Sequence, residues 1–268
     1  MSDLTDGAAR RGTFAPGTFL PAPGRGSLGR MLRIQAATET RLALRNGEQV
    51  LLTLLIPIVL LVGLTGLRFI PLPEPRVASV TASVLALAVM STAFTSQAIA
   101  FGFDRRYGVI RRLAATALPR WLLVAGRIAA VLAVVVVQLV VLGLIAVALG
   151  WRPDAAGLGW TLLLMLLGCA AFGALGILLG GTLRAEIVLA VANLVWFVLL
   201  LGGGIVIPLD QLPAGVAAVA SALPSGALAS GLRSALVEGT APGIGPVLVL
   251  VAWAVVAAGV AARTVRLR

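Results

Sequence analysis

The sequence contains no lysine and no histidine, and Cys169 is its single cysteine. Without lysine there is no phosphate-loop side chain to hold a nucleotide and no amine for a Schiff base. Without histidine there is no imidazole base, no histidine-ligated metal and no Ser-His-Asp triad. One thiol forms neither an intramolecular disulfide nor a thiolate metal cage. Charge is scarce as well: 12% of the 268 residues are charged and 60% are hydrophobic. These absences exclude most enzyme classes. What is there is the composition of an integral membrane protein with a formal net charge of +11, every one of its 21 basic residues being arginine.

A helix needs about 20 apolar residues to cross about 30 Å of hydrocarbon. The charge-free windows of that length are Gln49–Leu67, Val77–Phe103, Ile128–Trp151, Ala155–Leu183, Ile187–Leu209, Gln211–Leu232 and Gly239–Ala262. Gln211–Leu232 is the odd one. It has six residues from Ile, Leu, Val and Phe, two prolines and three serines, whereas Ile187–Leu209 has fifteen of those apolar residues in nearly the same length. The pattern predicts two short helices broken at Pro224, lying at or dipping into one interface. Six spans remain.

Arginine placement agrees, because loops on the cytoplasmic side carry the excess of basic residues. With six spans and both ends inside, seventeen arginines are cytoplasmic: Arg10, Arg11, Arg25, Arg30, Arg33, Arg41 and Arg45 in the N-tail, six from Arg105 to Arg127, then Arg184, Arg263, Arg266 and Arg268. Only Arg68, Arg76, Arg152 and Arg233 fall outside. Arginines that flank apolar spans speak for orientation and attraction to anionic membrane lipids, and against nucleic acid as a partner.

Residues Met1 to Ser27 are rich in Gly, Pro and Arg and are expected to be a disordered tail, with no secretory signal. A single six-span transmembrane domain, 28–268, is expected to follow. Leu28–Gly47 mixes leucines with arginines and fits either an interfacial helix or a plain basic flank. The first span carries Pro57, and the second carries a polar run, Ser91, Thr92, Thr95, Ser96 and Gln97. Such hydroxyls either bond within and between helices or line a pathway. The glycine-rich fourth span (Gly168, Gly173, Gly176, Gly180, Gly181) suits close helix approach, with Cys169 as inert packing. In the fifth, Gly202, Gly203, Gly204 and Pro208 are expected to loosen the outer end. No aspartate or glutamate lies within a span, so the membrane interior carries no carboxylate for ion coupling.

Between spans two and three, Phe103, Tyr107, Ile110 and Leu113 recur at helical spacing among Arg105, Arg106, Arg111 and Arg112. This predicts a short amphipathic helix, which either adheres to the membrane surface or docks into a partner's groove.

That segment, Asp104-Arg105-Arg106-Tyr107-Gly108 through Arg111-Arg112-Leu113 and Leu118-Pro119-Arg120, resembles the first cytoplasmic loop of type-2 ABC exporter permeases. Leu44-Arg45-Asn46 with Glu48 and Pro57 is similar to the family's start. Ala192-Asn193-Leu194, Gly203-Gly204, Pro208-Leu209, Gln211-Leu212-Pro213, Leu223-Pro224 and Leu232-Arg233 resemble its fifth span and the outer helices after it. The resemblance implies an all-α integral membrane protein of six transmembrane helices. N-terminus and C-terminus would be cytoplasmic, with an N-terminal interfacial helix, a cytoplasmic coupling helix and two short outer helices between spans five and six.

It also implies that the chain pairs with a second permease copy or a paralogue, and that a separate ATP-binding-cassette ATPase docks from the cytoplasm. ATP and magnesium would be bound there, with no cofactor on this chain. The docking residues would be Arg105, Arg106, Tyr107, Ile110, Arg111, Arg112 and Leu113. The second and fifth spans would border the substrate path through Ser91, Thr92, Thr95, Asn193, Trp196 and Phe197. The expected function is export of an amphipathic or apolar molecule across a bacterial cytoplasmic membrane, with no catalysis by this subunit. A non-transporting scaffold that recruits a cytoplasmic partner and an ion-coupled carrier are the competing readings, the latter against the missing intramembrane carboxylate.

Overall fold

Each of the six apolar windows assigned to a span is helical in the computed structural model, which describes residues 27–45, 47–67, 74–114 and 120–265. In chain order the helices are α1 (Leu28–Arg45), α2 (Gly47–Gly66), α3 (Arg76–Val89), a π-helix (Met90–Ser96), α4 (Gln97–Arg106), α5 (Val109–Ala114), α6 (Arg120–Ala148) and α7 (Ala155–Thr182). They continue as α8 (Ala185–Gly202), a 3-10 turn (Leu209–Gln211), α9 (Ala214–Ala222), α10 (Pro224–Leu236) and α11 (Ile244–Thr264). No strand occurs among the described residues. The tail expected over 1–27 lies, Ser27 apart, outside them.

Five described helical stretches are long and apolar enough to cross a membrane: Arg76–Arg106, Val124–Ala148, Ala155–Thr182, Ala185–Gly202 and Ile244–Thr264. In α2 the apolar stretch that meets the same test of composition is the shorter Thr53–Gly66. The suspect window is the expected broken pair: α9 and α10 meet at 95° across Leu223–Pro224. Proline at the first position of α10 has no N–H to donate and presets φ, so it starts a helix well and cannot continue the one before it.

The α7 helix is the axis of the bundle, packed on α4, α10, α11 and the π-helix. Its glycines make this possible. A Cβ on Gly180 would stand 2.4 Å from the carbonyl oxygen of Ala98, and one on Gly176 would stand 2.8 Å from that of Phe94. In lipid, where apolar burial gives no net drive between helices, such close approach supplies the dispersion contacts that hold them together. The core around this axis is Phe172, Leu85, Met90, Leu164, Leu228, Leu232 and Leu250, all fully buried. Cys169 is buried within it.

Two expectations change. The glycine run after α8 ends the helix instead of loosening it: Gly204 sits at φ +72°, a left-handed turn where a side chain would strain the backbone. The amphipathic segment Phe103–Leu113 is not one helix. Gly108 at φ +70° breaks it into the end of α4 and the six-residue α5, so the anticipated stripe turns over at the break.

Candidate functional site

The polar run of the second span falls on the π-helix. Here the chain accommodates more residues per turn than an α-helix, a distortion that recurs at functional positions. Ser96 Oγ donates to the carbonyl of Ser91 at 3.2 Å, a five-residue reach. The widened turn sends adjacent hydroxyls in different directions. Ser91 Oγ accepts from Trp196 Nε1 of α8 at 3.0 Å. Thr92 faces α6, where buried Gln138 donates through Nε2 to Thr92 Oγ1 at 3.1 Å and to the carbonyl of Thr53 in α2 at 3.0 Å. The Thr92 hydroxyl in turn lies 3.2 Å from Gln138 Oε1. One amide thus ties three spans together. Each such bond between helices contributes about 0.6–2 kcal/mol in a membrane. The Thr95 hydroxyl is buried and makes no hydrogen bond among the described residues.

Two cavities flank this polar layer. One of about 360 Å³ lies on the side of the elbow that Tyr107–Gly108 makes between α4 and α5, and is lined by Glu39, Thr53, Thr92, Ser96, Gln97, Asp104 and Arg127 among apolar residues. The other, about 540 Å³, is walled by Pro57, Leu60, Val84, Leu87, Trp196 and Leu200, and closes towards Pro208 and Arg233. Thr53 borders both, and neighbouring residues Thr92 and Ser91 face one each, so the Gln138 cluster stands at their junction. At the far end Arg233 of α10 donates to the carbonyls of Gly204 (2.9 Å) and Ile205 (3.0 Å) and to Ser83 Oγ at 3.2 Å. One arginine therefore holds the turn after α8, the broken helix pair and α3 in place.

The elbow at Tyr107–Gly108 is anchored from below. Asp104 is ion-paired with Arg127 of α6, and the Arg127 guanidinium lies 5.3 Å from the centre of the Phe101 ring. Glu39 of α1, held by Gln35 Nε2 at 3.0 Å, is within electrostatic reach of Arg127. Arg105 donates to the carbonyls of Gly180 (3.0 Å) and Leu183 (3.4 Å), capping the end of α7. Arg106 pairs with Glu186 at the start of α8. Ile110 of α5 is only 7% exposed, packed with Phe101 and Ile177, whereas Tyr107 is 62% exposed and stacks on Phe103. The segment is a projecting tip on a base fastened to α6, α7 and α8.

Residues 32–237 match the ABC-2 type transporter family. This chain belongs to the ABC-2 type transporter family. It is also 26% identical over 227 residues to a protein of Bacillus subtilis (strain 168) named as a transport permease, YvfS, an alignment covering 83% of this chain and 92% of that one. The protein is thus a multi-pass membrane permease of an ABC transporter, and permeases of this family work with an ATPase subunit.

Of the residues that the resemblance assigned to docking, the permease exposes Tyr107, Arg106 and Arg112 and turns Ile110 inward. Arg105 is engaged with α7. The side chains of Arg111 and Leu113 lie outside the described residues. Of the residues assigned to the path, Ser91 and Trp196 reach the larger cavity and Thr92 the smaller. Asn193 and Phe197 do not line either one. Asn193 is exposed and donates to the carbonyl of Leu189 at 2.8 Å, and Phe197 meets Trp196 edge-on on the outside of α8. Gln138, at the junction of the two cavities, is not among the residues that the resemblance assigns. Its signal was nonetheless present, as a lone amide in a long apolar helix.

Proposed function

We propose that this permease is one half of an ATP-driven exporter in a bacterial cytoplasmic membrane, moving an amphipathic or apolar molecule outward. It pairs with a second copy or a paralogue through the exposed face of α8. Separate ATPase subunits hold the nucleotide and magnesium and dock at the elbow. In this reading α2, α3–α4, α6, α7, α8 and α11 are the six spans. Both chain ends face the cytoplasm, α1 lies along the inner interface, and α9–α10 dip in from outside.

The observation that carries the proposal is the elbow's attachment. Tyr107 projects, while Asp104, Arg105, Arg106 and Ile110 fasten its base to α6, α7 and α8. A push on the tip is therefore delivered to α4 and, through the π-helix, to the Gln138 layer between the two cavities. ATP binding closes the ATPase pair and displaces the elbow. The helices then shift between two discrete packings, one opening the elbow-side cavity and the other the far one.

The test is coupling. Tyr107→Ala with Arg112→Glu removes the exposed contacts and leaves the anchoring residues untouched. Permease-stimulated ATP hydrolysis by the co-expressed ATPase falls at least tenfold, with normal membrane insertion. Hydrolysis and export at the wild-type level in that double variant would overturn the docking assignment.

A further inference from the structure

We infer that the pathway is built for a cationic amphiphile, its positively charged head held at Glu39 in the elbow-side cavity and its apolar body reaching towards the larger one. This rests on reading the two cavities as the substrate path. The chain as a whole is strongly basic, so the sign of the charge inside its cavities is the informative quantity. In the elbow-side cavity two carboxylates, Glu39 and Asp104, face one guanidinium, that of Arg127. Asp104 and Arg127 are ion-paired to each other. Among the described residues Glu39 has only the neutral amide of Gln35 as its hydrogen-bond partner, which leaves the described lining of that cavity one negative charge in excess.

The larger cavity shows the opposite case. Its one lining cation, Arg233, is committed to two carbonyls and a hydroxyl and has Asp210 within electrostatic reach. Among the described residues no unsatisfied cation is offered to an anion there, and the rest of its wall is mostly aliphatic, with Trp196 and the hydroxyls of Thr53, Ser79, Ser83 and Ser91.

A charged group enters a site of reduced polarity only where an opposite charge or oriented dipoles replace its water. Glu39 supplies that for a cation and repels an anion. Ser96, Gln97 and Thr92 add oxygens that accept hydrogen bonds from an ammonium head. The polarity runs one way, head near the elbow and apolar body beyond the Gln138 layer, because among the described residues only the elbow-side cavity is lined by carboxylates.

Tetraphenylphosphonium and tetraphenylborate make the test, since they share shape and size and differ in sign. Equilibrium binding is measured on the full-length permease in uncharged detergent, with no ATPase, so that the result is independent of the docking test. The phosphonium is expected to bind at least tenfold more tightly than the borate. Glu39→Gln should abolish that preference, and Glu39→Asp should restore most of it, which separates charge from folding. A preference for the borate, or an unchanged preference in Glu39→Gln, would overturn the inference.

Discussion

The second and fifth spans were expected to play the same part, yet they are opposites. Of the apolar window in α3–α4, 83% is buried within the chain, and of that in α8 only 22%. The second span is enclosed by α2, α6, α7, α8 and α10. The fifth leaves Leu194, Phe197, Val198 and Leu201 facing outward, with Asn193 among them. A helix enclosed on all sides cannot move without moving its neighbours, which is what a lever requires. A helix left open along its length is unfinished, and polar groups on such a face serve as glue to another helix. In the proposed function, one chain thus separates transmission from assembly.

The comparison breaks most sharply at Gly180. A leucine there would drive carbon into the backbone of Ala98 and Gly102, where no side chain can give way. Gly180→Leu is expected to cost about 3 kcal/mol in denaturant unfolding, whereas Gly173→Ala, with open space around its Cβ position, stays within about 0.5 kcal/mol. Next comes the ion pair under the elbow. Arg127→Gln leaves the partly buried Asp104 carboxylate without its partner and is expected to cost about 2 kcal/mol. Gln138→Leu removes the amide shared by Thr53 and Thr92 and should cost about 1–2 kcal/mol by the same measurement. Smallest is Asn193→Leu. On α8 it changes the stability of the monomer by less than about 0.5 kcal/mol but weakens self-association in detergent about threefold, the effect of one membrane hydrogen bond of about 0.6 kcal/mol. An Asn193 variant as damaging to the monomer as Gln138→Leu would erase the distinction between the two spans.

Much of this was legible from the chain. The spans follow from where charge is absent, and the broken pair follows from Pro224 and a shortage of large aliphatic residues. The close approach of α7 follows from glycines at helical spacing. Details set by tertiary packing were not legible. Nothing in Met90–Ser96 marks a π-helix, since its extra residue is stabilised by neighbours such as Gly176 that admit the bulged backbone. A helical stripe through Phe103–Leu113 was a fair reading of periodicity, yet one glycine at positive φ reverses its second half. Arg105, expected at the docking surface, and Arg127, counted as an orientation signal, are both engaged with specific partners inside the chain, as is Arg233. Charge counting sees a sign and cannot see which carbonyl or carboxylate will use it.

The isolation of Cys169 has a practical side. With the chain's one thiol sealed in the bundle core, the native protein should be nearly silent to maleimides applied to intact cells. Any cysteine introduced at the surface, at Tyr107 or in α9 for instance, then reports its own compartment against a blank background, and no native residue need be replaced first.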